Sequence, residues 1–198
     1  MPGFVGVWAG VWFHRLMVCM TEKEIGRRAP AATPEALFRR LAELGIETET
    51  RRHQPLFTVE QSRALRGAIP GGHCKCLFLT AKLRALWLVV ALEDREIDLK
   101  ALARHLGAGR FSFAKAELLM DALGVAPGAV TPFALINDAG RRVKVVLDKE
   151  MMALDLLNYH PLTNEATTTI ATKDLLRFMA ATGHDPEIVD FAFPGGVA

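Results

Sequence analysis

The stretch "CLFLTAKLRALWLVVAL", residues 76–92, decides the fold. Two apolar runs stand on either side of the polar "TAKLRA", so this stretch reads as a pair of strands in a hairpin or near-hairpin. The first run is entered through "GGHCKCLFL" (71–79), where one lysine lies between two cysteines. Side chains alternate along a strand, which puts His73, Lys75 and Leu77 on one face and Cys74, Cys76 and Phe78 on the other. Working outward, "ATPEALFRRLAELGI" reads as a helix capped by Thr33, with Pro34 at its first position and Gly45 at its end. An extended piece follows through "ETETRRHQPLFTV", and "TVEQSRALRG" reads as a second helix with Thr58 and Gln61 in capping-box spacing.

Downstream, "DLKALARHLGAG" is a helix capped by Asp98, and "SFAKAELLMDALGV" is another that ends at Gly124. "FALIND" and "RVKVVLD" read as strands joined by a turn at "DAG". The polar "NYHPLTNEATTTIA" precedes a last helix, "TKDLLRFMAATG", expected to be capped by Thr172, and the strand-like "EIVDFAF". Strands and helices mix without strict βαβ alternation. The expected fold is therefore a single compact α/β domain, with a mixed, largely antiparallel sheet and surrounding helices.

The totals bound the function. The 198 residues are 51% hydrophobic and 23% charged, enough for one core of ordinary size. Lys+Arg exceeds Asp+Glu by 24 to 22, too little for a general nucleic-acid coat but compatible with a local basic patch. Three cysteines give no disulfide framework and suit a reducing cytoplasm. The apolar start "MPGFVGVWAGVWFHRLMVCM" is short for a bilayer span and lacks a basic leader, so no membrane association is expected. Residues 1–30 are expected to be an extension of the reading frame or a disordered tail, with the domain at 31–198.

Several groups carry chemistry. Cys74 and Cys76 lack a second Cys/His pair at zinc spacing, so neither a metal nor a cofactor is expected. A cysteine nucleophile needs a base supplied by the fold, His160 or His73; beside "LFL" a small thiol is more often an inert apolar side chain. Lys75 at a strand's mouth reads either as a solvated head on an apolar stem or as an ammonium beside a phosphate, ester or carboxylate. "GAVTP" (128–132) is a Gly-x-x-x-Pro loop that can turn backbone N–H groups toward a ligand, or simple punctuation. "HPLTN" puts His160 and Asn164 in a segment too polar for core.

Taken in order along residues 33–193, "GGHCKCLFL", "LWLVVALEDREIDLKALARHLGAGRFSF", "LGVAPGAVTPFALIND" and "NYHPLTNEATTTIATKDLLRF" resemble the YbaK-type aminoacyl-tRNA editing family. The likeness is greatest to the free-standing prolyl-tRNA editing proteins, relatives of the insertion domain of bacterial prolyl-tRNA synthetase. The resemblance implies a deacylase of mischarged tRNA-Pro that engages the acceptor end and acts in trans to the synthetase. Alanine is the implied wrong residue, and cysteine is the substrate of a sister branch. It places the family's lysine at Lys75, its Gly-x-x-x-Pro loop at Gly128 and Pro132, and its histidine and asparagine at His160 and Asn164. Phe57, Thr58 and Phe133 are candidate walls of a small amino-acid pocket, although each also reads as core. One departure stands out: an asparagine is expected directly after the lysine, and Cys76 occupies that place. Cys76 therefore either touches substrate, altering preference or activity, or is a packing variant. A catalytically silent aminoacyl-tRNA-binding relative is the alternative to a deacylase.

Overall fold

The computed structural model describes residues 30–54 and 69–193. Phe57, Thr58 and the helix expected to begin at Thr58 lie outside these residues. The helices are α1 (Pro34–Glu43), α2 (Leu99–His105), α3 (Ala116–Leu123) and α4 (Thr172–Ala181). The strands are β1 (Thr48–Arg52), β2 (Gly72–Thr80), β3 (Leu86–Leu92), β4 (Ser112–Phe113), β5 (Val143–Asp148), β6 (Leu156–Tyr159), β7 (Ala166–Ala171) and β8 (Glu187–Val189). They form one sheet in the order β1-β7-β6-β2-β3-β5-β8, with β4 added beside β2.

The 76–92 hairpin forms as its punctuation requires. Strands β2 and β3 pair antiparallel from Cys74↔Leu92 to Thr80↔Leu86. Both faces of β3 are covered, which explains its unbroken apolar run. Leu88 and Val90 enter one core with Phe78, α1, α3 and α4, while Trp87, Val89 and Ala91 enter a second core with Leu79 and Leu102 of α2. Cys74 and Cys76 pack against the first core and Leu77 against the second. Lys75 therefore leaves β2 on the side of the second core, as strand alternation demands.

Strand β2 also has a parallel partner. Gly72 lies opposite Leu157 and His73 opposite Asn158 on β6, and there the parallel pairing stops. The glycine pair permits this junction. Gly71 has φ +97°, and a Cβ there would sit 2.7 Å from the Leu156 carbonyl oxygen. A Cβ on Gly72 would lie 2.5 Å from the Leu154 side chain. Any side chain would force β2 away from β6.

Two local expectations need correction. "FALIND" is not a strand; Pro132–Asn137 is a 3₁₀ helix. A short, wholly buried apolar run does not reveal its period, and here proline and a cap decide it. Pro132 brings a fixed φ and no N–H for a ladder, while the Thr131 hydroxyl accepts the Phe133 N–H at 3.3 Å. Thr172 does not cap α4 but is its first residue, and its hydroxyl donates to the Leu154 carbonyl. The Asp98 cap does form, accepting from the Lys100 and Ala101 N–H groups at 2.8 and 3.0 Å.

Gly71→Ala should therefore destabilise the fold by roughly 1–3 kcal/mol, through positive φ and the clash with the β6 backbone. Urea unfolding measures this, and a change within about 0.5 kcal/mol would contradict the close approach.

Candidate functional site

The site is built where β2 parts from β6. His73 and Asn158 are the last parallel pair. Lys75 and His160 each lie two residues further along their chains, beyond the last paired residues. The Lys75 ammonium donates to the carbonyl of Arg95, in the turn after β3. That turn is tied back to β2 by Glu93 N–H to the His73 carbonyl at 2.9 Å. The carbonyl takes one of the three ammonium donors, and the remaining two keep the chemistry of an anion or ester binder.

His160 follows β6 and is half-buried. Its Nδ1 lies 2.9 Å from the Ala166 carbonyl oxygen. A carbonyl only accepts, so Nδ1 carries the proton and Nε2 presents a lone pair. Burial pushes the ring below the ordinary histidine value of 6.5; the Ala166 bond and Glu93 oppose this, and neighbouring His53 adds to it. The result is a neutral imidazole whose acceptor nitrogen can take a proton from water or a hydroxyl.

The Gly128 loop lies beside the connection that follows His160. Ala126–Ala129 is a turn with Ala129 N–H bonded to the Ala126 carbonyl at 3.0 Å, Pro127 and Gly128 occupying its middle. The φ of +89° at Gly128 suits the third position of a type II turn, where glycine is favoured. A Cβ there would point toward Asn164, 3.9 Å from its Nδ2, and otherwise meet open space. Asn164 belongs to the short 160–165 connection between β6 and β7, in which Leu162 N–H bonds the His160 carbonyl at 3.0 Å. This connection links the histidine to the glycine turn. The structure thus brings Gly128 to Asn164, while the lysine head engages the Arg95 carbonyl rather than the Gly128 turn.

Three predicted residues are placed as packing. Pro132 is buried, and Phe133 is completely so, edge-on to Tyr159 and Phe178 with centroids 5.9 and 5.6 Å away. Phe133 is core and no pocket wall; it and Pro132 hold the turn from behind. Cys76 does not join Lys75. It packs against the first core, on the opposite face of β2. Burial raises its thiol well above the usual range and pushes Cys74 up to about 12. Neither is poised as a nucleophile.

A family profile described as the aminoacyl-tRNA editing domain matches residues 53–178. The chain belongs to the aminoacyl-tRNA editing domain family. It is 40% identical over 168 residues to prolyl-tRNA synthetase associated domain-containing protein 1 of Bos taurus, covering 82% of this chain and 98% of that protein. It is 35% identical over 151 residues to the prolyl-tRNA editing protein ProX of Acetoanaerobium sticklandii, covering 76% of this chain and 92% of that one. A solved structure of a candidate trans-editing enzyme for prolyl-tRNA synthetase shares the fold. It superposes with TM-score 0.62 at 19% identity, over 80% of this chain and 96% of the other.

Beside His160 stands a residue that sequence reading passed over. His53 extends the β1–β7 ladder, its N–H bonding the Glu165 carbonyl at 2.9 Å. Its Nδ1 faces the Gln54 carbonyl at 2.9 Å and its Nε2 the Thr167 hydroxyl at 3.0 Å, and its ring centroid stands 6.3 Å from that of His160. In the sequence it is one polar residue in an extended stretch; only the pairing with β7 brings it to His160. No helix among the described residues is long and apolar enough to cross a membrane.

Two measurements check these electrostatics. His160 should titrate below 6.5 in an NMR pH series. The unfolded chain then binds its proton first on acidification, so stability attributable to this ring is full above about pH 6.5 and is lost as pH falls through the lowered value. Iodoacetamide should alkylate Cys74 and Cys76 on the order of 10²–10³-fold more slowly than a free thiol, read on their peptide by mass spectrometry. Rapid alkylation would contradict their burial.

Proposed function

We propose that this editing domain is a trans-acting hydrolase that deacylates mischarged tRNA-Pro, with alanine as the amino acid removed. The single observation that supports the reading is the half-buried His160 ring, with Nδ1 committed to the Ala166 carbonyl and Nε2 left as acceptor, in a chain 35% identical to the ProX editing protein across 92% of that protein's length.

The bond to be broken is the ester between the amino acid and the terminal ribose. Water attacks the carbonyl carbon, negative charge develops on the carbonyl oxygen, and the ribose oxygen leaves with a proton. The Lys75 ammonium, with donors beyond the one given to Arg95, holds the substrate by a phosphate or beside the ester; being charged, it is not the base. His160 Nε2 accepts a hydrogen bond from the terminal nucleotide or the attacking water's proton. The backbone N–H of Gly128 faces the developing oxyanion or orients the water, a contribution of ~10²–10³ in rate for one donor. The ribose hydroxyl adjoining the ester offers a second proton path.

Selectivity follows from size. A synthetase pocket built for proline rejects the smaller alanine weakly, because a missing methylene is worth only ~1–3 kcal/mol. A second site too small for proline supplies the difference. The acceptor-end contact we assign to Lys82, Arg84, Arg110 and Lys115, all exposed. The chain groups them: Lys82 N–H bonds the Ala108 carbonyl at 3.3 Å, and Ser112 lies opposite Thr80. Four phosphate contacts give a shallow salt dependence, with a slope of about −3 in log K against log salt.

The engagement of Lys75 with the Arg95 carbonyl favours one alternative, a silent domain that binds aminoacyl-tRNA without cleaving it. Deacylation of tRNA-Pro charged separately with alanine, cysteine, serine and proline distinguishes the two. The deacylase reading expects alanine to be released fastest, proline to be spared, and Lys75→Ala to lose at least ~10² in rate. Binding without turnover supports the silent reading, and turnover undiminished in Lys75→Ala removes the lysine from the mechanism.

A further inference from the structure

We infer that Arg95 is the positioning residue for Lys75, acting in two directions from one place in the chain. Its main-chain carbonyl accepts the Lys75 ammonium. Its guanidinium reaches the other way into three carboxylates from two segments, the end of β5 with its following turn and the chain after β8. Nε lies 3.6 Å from Asp148 at the end of β5, Nη1 lies 2.7 Å from Glu150 in the following turn, and Nη2 lies 3.3 Å from Asp190 just beyond β8.

The backbone shows what this grip accomplishes. At its start the turn is fixed, because Glu93 N–H bonds the His73 carbonyl at 2.9 Å and Arg95 N–H bonds the Leu92 carbonyl at 3.1 Å. Beyond Arg95 the chain runs through Glu96 and Ile97 before Asp98 caps α2. The guanidinium fixes the turn's far side together with Ile97, which packs against the second core. Asp148 is fully buried and the arginine side chain only 22% exposed, so this pair is shielded from solvent. Glu150 and Asp190 are exposed and hold more weakly. A carbonyl held in this way aims a flexible four-carbon stem at one place, whereas an unanchored lysine head samples many rotamers.

The catalytic consequence rests on the proposed role of Lys75; the positioning does not, and the test separates them. The rate of acetylation of Lys75 by an N-hydroxysuccinimide ester is read by mass spectrometry, with exposed Lys173 as internal reference. Arg95→Gln should speed Lys75 acetylation about tenfold relative to Lys173, the scale of one lost charge-assisted hydrogen bond. Arg95→Lys, which keeps Asp148 paired but reaches fewer carboxylates, should fall between. If Arg95→Gln fails to fold because Asp148 is left buried and unpaired, Arg95→Gln with Asp148→Asn removes that charge and takes its place. In deacylation assays the same variants should lower kcat more than they raise KM. A lower unfolding midpoint with unchanged Lys75 acetylation would overturn the inference, leaving Arg95 as a staple between β5 and β8. Faster acetylation without any wild-type deacylation would uphold the positioning and refute the deacylase.

Discussion

The structure depends on a strand that cannot satisfy both of its neighbours along its whole length. Strand β2 pairs with β6 in parallel for two residues and with β3 antiparallel for seven. Each mode has its own spacing of hydrogen bonds. Beyond His73 and Asn158 the two halves of the sheet separate, and side chains on one face are released from the ladder without being given to solvent. Gly71 and Gly72 make the junction close enough to form, since a Cβ at either would strike β6 or its approach.

Past that parting, the Lys75 head is anchored on a backbone carbonyl, and the His160 ring is kept neutral by burial, with its proton committed to Ala166. Loss of hydration favours the neutral form of this imidazole, and neighbouring His53 acts in the same direction. The thiols beside Lys75 are on the other face and serve the core, which separates the reactive side of β2 from its packing side.

The fold was legible wherever a local rule matched its surroundings. The hairpin at 76–92, the Asp98 cap and the α1 start at Thr33 and Pro34 are each fixed by near neighbours in sequence. It failed at "FALIND", where complete burial erases the period and a proline chooses the 3₁₀ form, and at Thr172, whose hydroxyl finds a tertiary carbonyl instead of its own helix. In the site, the resemblance to the editing family singled out Lys75, Gly128, His160 and Asn164, yet no local signal showed that Arg95 would receive the lysine or that His53 would stand by His160. Those contacts arise from strand pairing across more than a hundred residues in the case of His53 and Thr167. The alternation that separates Cys76 from Lys75 was readable at once, but which face meets the larger core was not.

The most direct test of the central claim is an NMR titration with alanine joined by a stable amide to the 3′ position of adenosine, a mimic of the ester that resists hydrolysis. Amide shifts are predicted to concentrate at Lys75, Gly128, Ala129, His160 and Asn164, the groups around the parting of β2 and β6. Saturable shifts confined to α2 and the chain after β8, with those five unmoved, would contradict it.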